Sequence, residues 1–494
     1  MANRVDATIT DHSTLPGLEK RRVISNSNRN ADSDSSVVES TPASDEVRPH
    51  KQIAQKSCSA NLKDFITITV VPLLIIALIP ILVIVIWYTV MHCQGSYLNM
   101  LSFLVRKSII GGFVAILSQL DIPSIPIIAV LLIYAMYALC MIKILPGPTF
   151  FGPITPKGNI PVYTDNGFAY YLITMALFWI ITVALHPFGL SPSIIYDRFD
   201  EVLISLHIFS LLFCVFLYLK GKFSPSSTDS GSSGNIVFDY YWGMELYPRV
   251  FGIDIKQFTN CRFGMMGWAL LVCVHVVKSY ELHGFVDSMC VSAALQLLYI
   301  TKFFWWEAGY LHTIDIILDR AGFYICWGCL VFIAGMYTTP SFYLVSHPLI
   351  LGPIVSLVIF LLGILSIIIN YNADSQKQKV RRTNGDCLIW GRKPLIIHAK
   401  YQLENGEFKE SILLASGWWG LSRHFHYIPE IFLAFFWSVP ALFNHLLPYS
   451  YVIYLIILLT HRTFRDDNKC RKKYGEAWVE YCKKVPYKMI PYIF

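Results

Sequence analysis

Phe65 to Met91 (FITITVVPLLIIALIPILVIVIWYTVM) runs without one charged residue and exceeds the ~20 residues a helix needs to cross hydrocarbon. Lipid offers no water to backbone amides and carbonyls, so such a run folds as helix. It lies too far from the N-terminus, and is too long, for a cleaved signal peptide. Composition extends the conclusion: of 494 residues 54% are hydrophobic and 15% charged, with mean hydropathy +0.49, well above globular usage. Further apolar runs fall at 108–120, 125–145, 167–185, 202–219, 263–278, 288–304, 323–339, 342–370 and a paired 428–444 and 449–461. Pro and Gly interrupt several, which a bundle tolerates when neighbours satisfy the freed backbone groups. The expected fold is all-α, a polytopic membrane protein with about ten transmembrane helices. The weakest run, 108–120, is short and ends at Asp121-Ile122-Pro123.

Loop charge sets the orientation. Residues 1–64 carry Lys20-Arg21-Arg22, Arg29, Lys51 and Lys56, and 373–402 carry Lys377, Lys379, Arg381, Arg382, Arg392, Lys393 and Lys400. With the basic C-terminal tail, all three are expected in the cytosol, which needs an even number of spans. The net charge of +7 calls for no nucleic acid; positive loops against anionic lipid explain much of it. Residues 1–64, rich in Ser, Asn and Asp, are expected to be a disordered cytosolic segment. The spans then form two groups, 65–222 and 237–494, joined by a Ser/Gly-rich linker at 223–236 (FSPSSTDSGSSGN begins it). Ile396 to Leu403 and Phe408 to Leu414 flank Glu404-Asn-Gly-Glu, a hairpin signal. Cys326-Trp-Gly-Cys329 has no second pair at ligand spacing, so no metal site is expected.

The last long apolar run is followed by THRTFRDDNKCRKKYGEAWVEYC, dense in charge. At helical spacing Arg462, Asp466, Cys470 and Tyr474 share one face, and Tyr481 returns near that stripe. Arg pairs with phosphate, Asp accepts from hydroxyls or amides, and aromatics stack on rings. A nucleotide site and a cationic anchor on lipid headgroups both fit this spacing. Lys377 and Arg381, again four apart, end the 342–370 run, and LASGWWGLSRHFHY (Leu414 to Tyr427) adds aromatic and cationic side chains. No G-x-G-x-x-G or G-x-x-x-x-G-K-[ST] occurs, so a dinucleotide would be held by side chains and helix ends.

HRTFRDDNKCRKKYG (His461 to Gly475) resembles the H-R-x-x-R-D-x-x-x-C-x-x-K-Y-G signature of the sterol reductase family, which includes sterol Δ14-reductases and the lamin B receptor. The resemblance runs from about Phe65 to Phe494. GNIVFDYYWGMELYPR (Gly234 to Arg249), TKFFWWEAGYLHTIDI (Thr301 to Ile316), RRTNGDCLIWGRKP (Arg381 to Pro394) and SGWWGLSRHFHYIPE (Ser416 to Glu430) are similar to its Δ7-sterol (7-dehydrocholesterol) reductase branch. The resemblance implies a multi-pass endoplasmic reticulum enzyme that uses NADPH to reduce a ring double bond of a 5,7-diene sterol. It places cofactor contacts on Lys377, Arg381, Leu414, Trp419, His426, Tyr427, Asp466, Cys470, Tyr474 and Tyr481, in a cytosol-facing pocket of the C-terminal half, with Arg423 and Arg462 in support. Some relatives carry Asn where this chain has His426.

Hydride does not readily add to an unactivated alkene, so a proton must come first: at carbon 8, leaving an allylic cation that hydride quenches at carbon 7. Ionisable groups within spans are functional candidates. Tyr299, Lys302 and Glu307 lie near one span's end; Tyr299 is expected as donor, with Glu307 orienting it or a water. Tyr337, Tyr343 and Asp315 stand in reserve, and the structural alternative is an interfacial aromatic beside a paired acid. A Δ14-reductase, a lamin B receptor-like scaffold and a transporter are the competing readings. Charge gathered at one face instead of the midplane argues against the last.

Overall fold

The computed structural model of the protein describes residue 62 and residues 64–494 except 156, 404 and 405. The expectation for 1–64 therefore lies, but for its last residues, outside the described part of the chain. The principal elements are α1 (Ile66–His92), a bent pair α2 (Tyr97–Lys107) and α3 (Ile109–Leu117), α4 (Ile125–Ile144), α5 (Gly167–Phe188), α6 (Phe199–Phe223), α7 (Gln257–His283), α8 (Asp287–Trp305), α9 (Phe323–Ser346) and α10 (Pro353–Arg382). A hairpin of β1 (Ile396–Gln402) and β2 (Phe408–Leu414) follows. Then come α11 (Tyr427–Ala441), α12 (Ser450–Tyr474) and α13 (Glu476–Lys484). The chain is a mostly helical polytopic membrane protein. Among the described residues eight helices, α1 and α4–α10, are long and apolar enough to cross a membrane, or nine if the bent pair is one span.

Two expected spans are redrawn. The run at 108–120 is no straight crossing, because α2 and α3 meet at 111°. The corner is Ser108, with φ at 64° and its hydroxyl accepting from the Gly111 amide at 3.2 Å to cap α3. The run at 342–370 is broken too. Its first residues finish α9, and α10 starts afresh at Pro353 after Gly352 at φ 81°. Asp287 of α8 fixes that start by accepting from the amides of Leu351 (2.9 and 3.1 Å) and Gly352 (2.8 Å).

Burial sorts the helices. The apolar window of α9 is 89% buried and that of α7 67%, against 11% for α1 and α4. A helix apolar on all sides is either a core helix or a lipid-facing one, so α7 and α9 form the interior and α1 and α4 the periphery. The two inner helices are π-helical over Gln257–Met265 and Phe323–Tyr337, a rare geometry often found at functional sites. Their backbones meet at Gly264, where a Cβ would lie 2.6 Å from the Cys329 carbonyl oxygen. Gly264→Val is expected to push the pair apart, at roughly 1–3 kcal/mol, measured as a lowered denaturation midpoint in detergent. Cys326 and Cys329 are buried free thiols here, and Asn260 donates to the Cys329 sulfur at 3.3 Å.

The Ser/Gly-rich segment expected as a linker is tied down by hydrogen bonds. Glu245 accepts from the Ser226 amide (2.5 Å) and from Lys220 (2.7 Å). Asn159 donates to Asp229 (2.7 Å), the Ser233 amide to Asp239 (2.8 Å), and Asn235 to Thr69 (2.7 Å). Two acids beyond the Ser/Gly run, Asp239 and Glu245, thus supply acceptors to it, and Asn159 donates from upstream. The described residues belong to one compact unit, Ser59–Phe494, and α6 and α1 both pack on α9 across the expected division.

The hairpin pairs in register from Ile396 opposite Leu414 to Gln402 opposite Phe408; Glu404 and Asn405 of its turn lie outside the described residues. Strand alternation puts Ile397, Ala399 and Leu413 on one face, packed against Trp478, Tyr481 and Val485. That sheet-on-helix contact carries the region where α10 and α12 end.

Candidate functional site

On α12 the expected row of Asp466, Cys470 and Tyr474 faces protein. Cys470 and Tyr474 pack against the hairpin-and-α13 cluster, and the Tyr474 ring meets Tyr401 at 5.7 Å. Opposite stand the last turns of α10. Lys377 holds its ammonium 3.9 Å above the Trp419 ring, a cation–π contact, within electrostatic reach of Asp466 and Cys470. Trp419 is fixed at both ends: its indole N–H donates to the Ala373 carbonyl (2.7 Å), and its own carbonyl accepts from Tyr481 (3.3 Å). Leu414 backs it, in a cluster with Val380, Ile389 and Ile412. Arg381 is exposed and lies near His312, as Lys377 does.

His424 and His426 continue this wall. The rings of Trp419, His426 and Tyr427 follow one another at 4.9 and 4.2 Å, and His424 stacks on Tyr427 at 5.3 Å, inclined by 6°. Burial first, with nearby cations including Lys377 adding, holds both imidazoles well below the usual histidine range. They are therefore neutral, and the 3.7 Å approach of His424 to Asp466 is no charged pair. Burial also raises the Asp466 carboxyl above its ordinary value, against the pull of Lys377 and Lys469. His424 Nε2 and His426 Nδ1 are buried without a hydrogen-bond partner among the described residues. Buried polar atoms are normally paired, so these two nitrogens, beside a cationic lysine and ring faces, fit a polar, ring-bearing anion. A cavity of about 190 Å³ opens beside Asp466, lined also by Trp242, Ile314, Leu318, Asp319, Arg465 and Lys469. It is smaller than the ~300–1,000 Å³ of pockets for drug-sized ligands and does not by itself hold a dinucleotide.

Two expected supporting residues are engaged elsewhere. Arg423 donates to the Val485 carbonyl (3.0 Å) and lies 3.6 Å from Asp467. The amides of Arg423 and His424 donate to the carbonyls of Tyr487 and Lys488 (3.0 and 2.8 Å), and Ser422 to that of Met489 (2.6 Å). The C-terminal tail thus straps the histidine loop, and Arg423 holds the strap. Arg462 is paired with Asp315. Arg465, one helical turn on, binds Asp319 through both oxygens (2.7 and 2.9 Å). The turn bearing both acids is clasped in its turn by the fully buried Lys256, which donates to the carbonyls of Asp315 (3.2 Å), Ile316 (2.5 Å) and Asp319 (2.9 Å).

Deeper in the bundle, Trp268 is ringed by Tyr299, Tyr337, Trp437 and Tyr451 at 5.8, 5.3, 5.6 and 6.2 Å. Tyr299 donates to Glu430 of α11 at 2.6 Å. One turn along α8, Lys302 donates to Asn370 (2.5 Å), and Asn370 donates to the His426 carbonyl (3.0 Å). Lys302 also lies 5.7 Å from the centre of the Tyr299 ring, so this chain of contacts, linked at the ring and not at the hydroxyl, runs from the aromatic cluster to the cationic wall. Glu307 is not part of it. Its carboxylate receives Arg262 (2.7 Å) and Gln257 (3.1 Å), with both members of the ion pair fully buried. Spacing put Glu307 with Tyr299; α8 ends at Trp305 and the chain turns there, which carries Glu307 to α7 instead.

Residues 64–494 match the Ergosterol biosynthesis ERG4/ERG24 family. The chain belongs to this sterol reductase family. This reductase is 50% identical over 423 residues to the 7-dehydrocholesterol reductase of Arabidopsis thaliana, covering 85% of the chain and 96% of the relative. It is 38% identical over 360 residues to that of Danio rerio (71% and 74% covered), and 36% over 336 residues to a Δ14-sterol reductase of Mus musculus (67% and 77%). Two residues of this candidate site carried no role from sequence: Asn370 and Glu430. Glu430 had a visible signal, an acid opening an otherwise apolar run.

Proposed function

We propose that this sterol reductase uses NADPH to reduce the carbon 7–8 double bond of 5,7-diene sterols, in the endoplasmic reticulum membrane with both termini cytosolic. The supporting observation is Tyr299, set among aromatic rings with its hydroxyl on Glu430, and with Lys302, 5.7 Å from the centre of its ring, leading through Asn370 to the His426 carbonyl. Names borne by the relatives at 50% and 38% identity favour the 7–8 bond.

In this reading Tyr299 delivers the proton to carbon 8, and the aromatic rings keep water from the resulting allylic cation. NADPH, when bound, supplies the hydride. Lys377 and Arg381 hold its phosphates, Asp466 accepts from a hydroxyl or amide, and Trp419, His426 and Tyr427 offer ring faces. Cys470, Tyr474, Leu414 and Tyr481 shape the wall behind them. Fixing both reactants in line contributes further to the rate.

Purified protein given NADPH and either a 5,7-diene or an 8,14-diene sterol tests the proposal. Reduction of the 5,7-diene is expected; turnover of the 8,14-diene alone assigns the alternative Δ14 activity, and no turnover of either leaves a scaffold. Asp466→Ala is expected to weaken NADPH binding by about 10–100-fold, the value of a lost charged hydrogen bond, in equilibrium titration. Unchanged affinity would make α12 an anchor only.

A further inference from the structure

Resting on that reading, we propose that Glu430 holds the proton that Tyr299 hands to the sterol, so that the two side chains work as a pair. A phenol, with an ordinary pKa of about 10, is a poor acid for an alkene; a carboxyl, at about 4.3, is far stronger. The oxygens of Tyr299 and Glu430 are 2.6 Å apart, the length of a strong O–H···O bond. Two proton positions fit that distance. With Glu430 ionised, the phenolic hydrogen points at the carboxylate and is withheld from a substrate. With Glu430 protonated, the carboxyl donates to the Tyr299 oxygen, and the phenolic hydrogen turns free towards the rings. Only the second state can act.

The step balances. The Tyr299 O–H bond breaks as the carbon 8–hydrogen bond forms, while the Glu430 O–H bond breaks and the Tyr299 O–H bond is restored. Glu430 regains its proton from water, and the reaction consumes one proton in all besides the hydride of NADPH. The titratable and charged groups facing Glu430 include Lys302 from α8, Asp374 from α10, Arg462 and Tyr451 from α12, and Tyr299 itself. Lys302 is positioned to stabilise the carboxylate left after transfer, and its bond to Asn370 holds it beside the pair. Because Glu430 acts through Tyr299, it is a positioning residue that also stores the proton.

The sign of the pH dependence follows. Turnover needs the protonated carboxyl, so kcat falls as pH rises through the Glu430 titration. Full-length protein in detergent, saturated with NADPH and sterol, is assayed over a pH series. Glu430→Gln is expected to lower kcat by about 100-fold or more, to leave NADPH affinity within about threefold, and to abolish the alkaline fall. Glu430→Asp is expected to keep that fall and recover part of the rate. A Gln variant that turns over within about threefold of wild type, or keeps the alkaline fall, overturns the pairing. Should the Gln variant fail to bind NADPH, the Asp variant decides: a rate independent of pH overturns the pairing, and a retained fall supports it. Wild type reducing neither diene sinks the proposed function and the pair's role with it. Wild type active beside an unimpaired Gln variant sinks the pair alone.

Discussion

Tyr299→Phe is expected to lower turnover by about 10²–10⁴-fold, the usual worth of general-acid help, while NADPH affinity stays unchanged. The ring that packs on Trp268 and Trp437 is retained, so the aromatic cluster keeps its shape. What is lost is one oxygen, together with its bond to Glu430. Leaving that carboxylate one partner short costs roughly 1–3 kcal/mol of stability, which a denaturation midpoint separates from the rate effect. NADPH titration supplies the discriminating measurement: the wall of Lys377, Trp419 and Asp466 lies beyond Asn370 and does not depend on the phenol. Normal turnover would remove Tyr299 as donor and bring forward Tyr337 or Asp315.

The largest stability effect is expected at the buried pair. Arg262 meets Glu307 at 2.7 Å, and its second amino group meets Asn166, also at 2.7 Å. Its carbonyl accepts from Tyr134 and Tyr170 (3.1 and 2.9 Å). Glu307→Leu strands a fully buried guanidinium and is expected to cost about 3–5 kcal/mol. Replacing both, Arg262→Met with Glu307→Leu, removes the two desolvation penalties together and is expected to recover most of that loss. Midpoints of the two singles and the double form the cycle, and additive losses would mean the charges do not act as a pair. Gly167 sits against this carboxylate, with room for no side chain: a Cβ there would lie 1.8 Å from Glu307 Oε2.

These two cases mark where sequence was sufficient and where it was not. Apolar runs announced the helices, because hydrophobic length is a local property. The α12 face was legible for the same reason, since Asp466, Cys470 and Tyr474 are set by one helix's own period. The hairpin strands could be read beside their Asn-Gly signal. Pairings between helices could not be read. Tyr299 and Glu430 are 131 residues apart, Arg262 and Glu307 are 45 apart, and no periodicity links such positions. Spacing along α8 also misled where the helix stopped: Glu307 was extrapolated past Trp305 as if the turn continued. The bonds that tie down the Ser/Gly run could not be read either, because its acceptors, Glu245 and Asp239, lie beyond it and Asn159 reaches it from far upstream. The π-helical stretches were not legible either: that of α7 (QFTNCRFGM) mixes polar and apolar residues, and that of α9 is a largely apolar run.

The tail strap has a practical bearing on how the protein is handled. The carbonyls of Val485, Tyr487, Lys488 and Met489 all receive donors from Ser422 to His424. Shortening the protein after α13, a natural choice for anyone trimming a charged extremity before crystallisation, would strip three consecutive residues of their acceptors and loosen the two neutral imidazoles.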